Sequence, residues 1–171
     1  MDGRAPLPLR VNGRPHEPPA DPRVSLLDFL REHLRLTGTK KGCDQGACGT
    51  CTVLADGSRV YACLLLAVQC EGMEIVTVEG LADDEVGARV QDAFVRHDAL
   101  QCGYCTPGQV CSVAGLLAEL RDGVPSAATP DLTAPPRELT DAELGERMAG
   151  NLCRCGAYHH IAAAVREVAA R

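Results

Sequence analysis

Eight of the ten cysteines in this 171-residue chain fall into two groups of four. The first group is Cys43, Cys48, Cys51 and Cys63, separated by gaps of four, two and eleven residues. A C-x4-C-x2-C run with a distant fourth cysteine is the plant-type arrangement for a two-iron, two-sulfide cluster. Glycines at 42, 46 and 49 allow the loop to turn its backbone N–H groups toward the sulfurs of such a cluster. The spacing therefore predicts a [2Fe–2S] site.

The second group is Cys102, Cys105, Cys153 and Cys155. The first two cysteines directly precede one predicted helix, and the last two directly precede the final helix of the chain. If the two helix N-termini converge, their free N–H groups and partial positive charge face an anionic cluster. Arg154 adds positive charge between two of the thiols. Four thiolates at two helix starts predict a second cluster site.

Spacing alone leaves other uses of these thiols open. A structural zinc ion also accepts thiolates, and CxxC pairs occur at 48–51 and 102–105. Disulfides need an oxidising compartment, whereas the N-terminus has no apolar export segment, so we predict a cytoplasmic chain with metal-binding thiols. Cys70 and Cys111 lie outside both groups, and their apolar neighbours predict buried, unreactive thiols.

Composition and motifs argue against several other functions. The formal net charge is −6 and no basic stripe is present, which argues against a nucleic-acid partner. No apolar run reaches the roughly 18 residues of a membrane span. The sequence shows neither a nucleophilic triad nor a phosphate-binding glycine loop, so no catalytic residue is assigned. The pairs Lys40-Lys41 and His159-His160 are predicted to be solvated.

The local patterns up to about residue 80 predict a small α+β domain. Hairpin-turn signals occur at Asn12-Gly13 and Asp56-Gly57. Residues 24–34 have a helical pattern of apolar residues, and residues 7–11 and 75–81 have strand patterns.

From residue 81 the patterns are helical. Apolar spacing predicts a helix after the acidic residues 83–85, and the next two helices carry capping-box pairs, Thr106 with Gln109 and Thr140 with Glu143. A proline-rich loop over 124–139 separates those two helices, and a fourth helix ends the chain. Four helices predict a small bundle.

Three motifs, GTKKGCDQGACGTCTV, QCGYCTPGQ and GNLCRCGAY, together resemble the iron–sulfur subunit of the xanthine dehydrogenase and aldehyde oxidase family of molybdenum hydroxylases. The resemblance covers nearly the whole chain and is greatest to small subunits of bacterial aromatic-aldehyde oxidoreductases. It implies an α+β protein with a β-grasp, ferredoxin-like domain over 1–80 and an all-α four-helix bundle over 81–171. Each domain would hold one [2Fe–2S] cluster.

The same resemblance implies partners and an electron route. A large subunit would hold molybdenum on a molybdopterin cytosine dinucleotide, and a medium subunit would hold FAD. The eight grouped cysteines match the family's cluster ligands, and Gln101 matches a glutamine that contacts the pterin. Electrons from the oxidation of aldehydes to carboxylic acids would then pass through both clusters to the flavin. This chain itself would bind no substrate, nucleic acid or membrane.

Two features depart from the family pattern. The last motif reads CRCGAY where many members read CRCTGY, and 47 residues separate Cys105 from Cys153, more than in many members. The aromatic-aldehyde relatives also carry a twin-arginine export signal that is not seen here, so a periplasmic location is the alternative to a cytoplasmic one. A free-standing ferredoxin-like carrier and a zinc-stabilised interaction module are the alternative functions.

Overall fold

The structure, a computed structural model, describes residues 7–134 and 138–170. The strands of these residues are β1 (Leu9–Val11), β2 (Arg14–His16), β3 (Thr52–Ala55), β4 (Ser58–Tyr61) and β5 (Glu74–Val76). The helices are α1 (Leu26–Asp28), α2 (Val78–Leu81), α3 (Glu85–Arg96), α4 (Thr106–Arg121), α5 (Asp141–Met148) and α6 (Tyr158–Ala169). A π-helical turn (Phe29–His33) extends α1, and 3-10 turns cover Ala62–Leu64 and Ala67–Cys70. Apart from α1 and the short helical turns, the strands precede the helices, so this is a mixed sheet followed by a helical half.

The five strands form one mixed sheet in the order β2-β1-β5-β3-β4. Only β1 and β5 run parallel, and the other neighbours are antiparallel. Asn12 and Gly13 turn the first hairpin, and Asp56 and Gly57 turn the second. All four residues have positive φ angles, as a tight I′ hairpin turn requires. Both predicted hairpin turns are therefore confirmed.

The strand predicted over 75–81 is shorter in the structure, because β5 ends at Val76 and α2 begins two residues later. Thr77 lies between these elements. Its N–H donates to Oδ1 of Asn12 at 2.9 Å, and Nδ2 of Asn12 donates to the Thr77 hydroxyl at 2.9 Å. These two bonds to a side chain take the place of further strand pairing, so the β-branched residues beyond Val76 turn into a helix.

The helix predicted over 24–34 exists, but most of it is not α-helical. The Ser25 hydroxyl accepts from the N–H of Asp28 and caps the start. The chain then widens into the π-helical turn, in which the Leu34 N–H bonds to the Phe29 carbonyl at 3.1 Å. Its buried residues are Leu26, Leu27, Phe29 and Leu30. They join strand residues such as Leu9, Val53 and Ile75 in the core of the sheet half.

A second core lies among α3, α4, α5 and α6. Its largest contributors include Val90, Phe94, Val110, Leu116, Leu144, Ile161 and Val165, and Leu54 of β3 adds to it from the sheet. The stripe predicted for α3 is confirmed, since Val90, Ala93 and Phe94 are buried. Helix α4 has no single apolar stripe: residues 108–116 are buried on every side, because this helix packs against both the sheet and its neighbouring helices. In the part of the chain that the structure describes, no helix is both long and apolar enough to cross a bilayer.

The two predicted capping boxes have different outcomes. The first does not form: α4 begins at Thr106 itself with Cys105 at the N-cap, and the Gln109 amide donates to the Asn151 carbonyl at 2.9 Å instead. In the second, Thr140 accepts from the N–H of Glu143 at 3.2 Å, as predicted. The Glu143 carboxylate turns inward rather than back to the cap.

Glu143 belongs to a buried ion network that joins three elements. Arg147 Nε lies 2.9 Å from a Glu143 oxygen, and its Nη1 lies 2.8 Å from a Glu119 oxygen on α4. Arg59 of β4 reaches the same Glu119 carboxylate at 2.7 Å and also donates to the Arg147 carbonyl. The network therefore connects the sheet half to α4 and α5.

Candidate metal centres

The first cysteine group lies on one loop and on a turn beside it. Three of its cysteines lie on the segment between the π-helical turn and β3, and the fourth lies on the 3-10 turn after β4. The thiols lie in two interacting pairs, Cys43 with Cys48 and Cys51 with Cys63. The four residues that the sequence groups together are thus brought together as two pairs.

Backbone N–H groups point at these sulfurs. The N–H of Gly46 donates to the Cys63 Sγ at 3.3 Å, and the N–H of Ala47 donates to the Cys43 Sγ at 3.2 Å. Gly46 has a φ of +73°, and a Cβ there would lie 2.6 Å from the side chain of Leu64. A glycine is therefore favoured at this position by the backbone angle. Donors aimed at sulfur stabilise thiolate and sulfide charge.

The second group forms where two helices begin. Cys105 is the N-cap of α4, and Cys153 and Cys155 lie on the turn that leads into α6. The pairs here are Cys102 with Cys155 and Cys105 with Cys153, so each pair joins the two helix starts. The two helix N-termini therefore converge, which is the condition on which the second site depends.

Helix starts also supply donors at this second group. The N–H of Ala157, the N-cap of α6, donates to the Cys153 Sγ at 3.4 Å. Burial opposes ionisation of Cys153, but the Ala157 N–H and the Cys105 thiol outweigh burial and lower its pKa. Hydrogen bonds from the backbone of Tyr104 and from the Cys155 thiol lower the pKa of Cys102.

The thiols differ in how easily they lose a proton. Hydrogen bonds from the backbone of Gln45 and from the Cys48 thiol lower the pKa of Cys43 to about 7. Burial raises the pKa of Cys51 and of Cys105 to about 12. Metals bind thiolates, so loading either group must release protons, and the buried thiols ionise only as the metal replaces the proton.

Two kinds of metal site could use these thiols. A structural zinc ion needs four thiolates converging on one tetrahedral point. Within residues 7–134 and 138–170, no group of three or more Cys, His, Asp or Glu side chains is arranged to hold a metal ion. Two pairs of thiols with N–H donors at the sulfurs fit a cluster in which each of two irons takes two thiolates. The residues present therefore fit [2Fe–2S] clusters at both groups.

The other residues singled out in the sequence lie at varied distances from these groups. Gln101 is exposed, and its amide donates to the Cys155 carbonyl at 3.2 Å, which puts it beside the second group. Cys70 and Cys111 are buried, as predicted, and burial raises the pKa of both thiols, that of Cys111 to about 12. Lys41 is not simply solvated, because it pairs with Asp28 and Asp44 at 3.0 Å each.

Sequence reasoning missed the residues that join the two groups. The N–H of Leu152 donates to the Cys48 carbonyl at 2.9 Å, directly linking the two cysteine segments. Asn151 is buried beside this bond and donates to the Gly49 carbonyl at 2.8 Å. In the sequence, both residues lie in the GNLCRC motif. Metal-site patterns identify the two cysteines of this motif but not the residues beside them.

Glycines permit this close approach of the two halves. Gly108 on α4 faces the first cysteine loop, and a Cβ there would lie 2.5 Å from the Gly49 carbonyl oxygen and 3.0 Å from backbone atoms of Thr50. Backbone atoms cannot move aside as a flexible side chain can. The helix and the loop therefore pack at a distance that only glycine allows.

We expect Gly108→Ala to destabilise the chain by about 1–3 kcal/mol, the usual cost of overpacking. Alanine at Gly145 on α5 is the matched control, because a Cβ there meets nothing within 4 Å. Gly145→Ala should stabilise the chain by up to about 1 kcal/mol through helix propensity. Denaturant unfolding at equal metal loading measures both changes, and equal effects at the two positions would contradict the packing argument.

Comparison with known proteins agrees with this geometry. Residues 9–73 match the family model for a 2Fe-2S iron-sulfur cluster binding domain, and residues 77–166 match the model for a [2Fe-2S] binding domain. The aldehyde oxidoreductase iron-sulfur-binding subunit PaoA of Escherichia coli (strain K12) is 54% identical over 96% of this chain and 71% of its own length. The xanthine dehydrogenase iron-sulfur-binding subunit of Escherichia coli O157:H7 is 40% identical over 88% of this chain and 86% of its own length.

Solved structures show the same similarity. A chain of quinoline 2-oxidoreductase from Pseudomonas putida 86 superposes with a TM-score of 0.78 at 42% identity, covering 97% of this chain and 94% of that one. The aldehyde oxidoreductase from Desulfovibrio gigas gives a TM-score of 0.72 at 33% identity and covers 98% of this chain, which matches 17% of the larger protein. This chain therefore belongs to the iron–sulfur small subunits of the molybdenum hydroxylase family.

Proposed function

We propose that this chain relays electrons from a molybdopterin subunit to a flavin subunit through two [2Fe–2S] clusters. The observation that carries the proposal is the presence of two groups of paired thiols joined by a single peptide hydrogen bond. When bound, a [2Fe–2S] cluster accepts and releases one electron at a time. The chain's own residues hold the thiols in place, aim N–H donors at the sulfurs and fix the separation of the two groups.

We assign the ligands from the thiol pairs. At the first site, Cys43 and Cys48 would hold one iron, and Cys51 and Cys63 would hold the other. At the second site, the two pairs are Cys102 with Cys155 and Cys105 with Cys153. The N–H bonds to sulfur and the match of both halves to [2Fe–2S] domain models support this assignment.

We assign a different partner to each site. Cys102 and Cys155 are exposed, and Gln101 lies exposed beside them, so this face would meet the molybdopterin subunit with Gln101 touching the pterin. Next to Cys63 of the first site, Leu64 is 61% exposed, and this apolar surface would meet the flavin subunit. A large molybdopterin cytosine dinucleotide subunit and a medium FAD subunit would complete the enzyme.

We also propose two domains, 1–80 and 81–171, of the β-grasp and four-helix-bundle types. The two cores divide near the same place, and the two family-model matches meet between residues 73 and 77. An aldehyde is the proposed substrate of the whole enzyme, because the 54% identical relative is named an aldehyde oxidoreductase subunit. The substrate would bind in the molybdenum subunit.

The assembly is tested by affinity purification of the tagged chain from its own host. We expect two larger chains in equal amounts, together with molybdenum and FAD, because the exposed cysteine face and the apolar surface near Cys63 need partners. A tagged chain with iron in both sites that purifies alone under gentle conditions would favour the free-standing carrier instead. A tag at either terminus should give the same result.

A further inference from the structure

A backbone hydrogen bond directly joins the segments that carry the two cysteine groups. The Cys48 carbonyl accepts from the N–H of Leu152 at 2.9 Å. Cys48 belongs to the first group, and Leu152 immediately precedes Cys153 of the second. A continuous route therefore runs from the Cys48 sulfur through its own carbonyl, across this bond, and along two residues of backbone to the Cys153 sulfur.

Both polar atoms of the Asn151 side chain hydrogen-bond to residues around this contact. Asn151 is only 4% exposed, and its Nδ2 donates to the Gly49 carbonyl at 2.8 Å and to the Thr52 hydroxyl at 3.0 Å. Its Oδ1 accepts from the Ser112 hydroxyl at 2.6 Å. The Asn151 backbone carbonyl accepts from the Gln109 amide at 2.9 Å. Every polar atom of this side chain is thus bonded, partly to the first cysteine loop and partly to α4.

A fully bonded buried amide fixes relative position in a way that apolar packing does not. Hydrogen bonds are directional, and a shift of the loop would leave buried donors or acceptors unpaired, which is unfavourable. Asn151 is adjacent to Leu152, and Gly49 is adjacent to Cys48. Any displacement of Asn151 relative to Gly49 would therefore stretch the hydrogen bond between Leu152 and Cys48.

Other contacts between the two halves give poorer routes. The Tyr104 hydroxyl donates to the Lys41 carbonyl at 2.8 Å, but that path crosses a whole phenol side chain and reaches a residue two positions before Cys43. The Tyr61 hydroxyl donates to the Gly150 carbonyl at 2.8 Å, and neither residue adjoins a cysteine. Of these contacts, only the one between Cys48 and Leu152 ends on a cysteine.

We propose that Asn151 is a positioning residue that holds the Leu152 N–H on the Cys48 carbonyl, and that this bond is the link for electron exchange between the two sites. The inference rests on the proposed function and extends it to named residues. In each exchange one electron leaves the reduced second site, which is oxidised, and reduces the first site. No covalent bond forms or breaks and no proton moves.

The test uses the full chain loaded with iron and sulfide. Asn151→Asp removes both amide donations while keeping the size of the side chain, and Ser112→Ala removes the bond to Oδ1 as a milder second variant. Tyr61→Phe is the matched control, since it deletes a hydrogen bond between the halves at the neighbouring Gly150 but none of those at Asn151. Electron paramagnetic resonance records the signal of each reduced site and the spin–spin splitting when both are reduced, and rapid partial reduction followed by freezing gives the exchange rate.

We expect Asn151→Asp to keep both signals, to shift the splitting and to slow the exchange, with Ser112→Ala changing the same quantities less and Tyr61→Phe changing neither. If Asn151→Asp loads iron poorly, Ser112→Ala alone must show the shift in the spin–spin splitting. Unchanged splitting and exchange in variants that retain both signals would overturn the inference and leave the proposed function intact. An unsubstituted chain that lacks two iron signals would instead contradict the proposed function.

Discussion

Replacing Cys48 by serine is expected to remove one of two iron–sulfur signals and to leave the other intact. Cys48 pairs with Cys43, and its sulfur also contacts the Thr50 hydroxyl at 3.2 Å. Loss of one thiolate from a four-thiolate site abolishes the coordination that a [2Fe–2S] cluster needs. The second group lies at the start of α4 and α6 with its own core, so its cluster should persist.

Electron paramagnetic resonance of the reduced variant, with iron analysis, measures this loss. Iron should fall to about half, because one of two equal clusters is lost. Cys70→Ala is the control: its thiol is buried in the sheet half but belongs to neither group, so both signals should remain. If Cys48→Ser kept both signals, or if Cys70→Ala lost one, the ligand assignment would be wrong.

Replacing Arg147 by methionine is expected to destabilise the chain strongly. The side chains of Arg147 and Glu143 are only 2% and 3% exposed, and they lie 2.9 Å apart. Removing one partner of a buried ion pair leaves an uncompensated charge and costs about 3–5 kcal/mol. Denaturant unfolding at equal metal loading measures this cost.

The double variant Arg147→Met with Glu143→Leu provides the control, because it removes both charges. It should recover much of the loss, since apolar replacement of a whole buried pair is often neutral. A loss below about 1 kcal/mol in the single variant, the level of an exposed pair, would contradict the description of this network as buried.

The same network predicts how stability depends on pH. Burial opposes ionisation of Glu143, but hydrogen bonds from Thr129, Ser126 and Arg147 outweigh it and lower its pKa. A carboxylate with a lowered folded pKa contributes stability above its unfolded pKa of about 4.3, and this contribution is lost as the pH falls through the folded value. In the Arg147→Met variant, this loss on acidification should be smaller.

The candidate site was largely predictable from the sequence because cluster ligation is local. Three of the first four thiols lie within nine residues, and the second group consists of two close pairs, each next to a helix start. Spacing and turn chemistry therefore identify the groups without knowledge of the fold. The division into pairs was not predictable, since Cys102 meets Cys155, and Cys105 meets Cys153, only once the folded chain brings the starts of α4 and α6 together.

The secondary-structure predictions that were wrong failed because of hydrogen bonds to residues far away in the sequence. Asn12 ends β5 by bonding Thr77, which is 65 residues away, and no local pattern around 75–81 records that partner. Gln109 leaves its predicted capping role because the Asn151 carbonyl, 42 residues away, accepts its amide. Hairpin turns at Asn12 and Asp56 were predicted correctly, because their backbone angles depend on the turn residues themselves.

We propose that two sets of four thiols in this chain each hold a pair of irons. Metal and acid-labile sulfide analysis of the purified chain measures this stoichiometry. We expect about four irons and four sulfides per chain, two of each for every [2Fe–2S] site. Zinc in stoichiometric amount, or iron for a single site only, would contradict it.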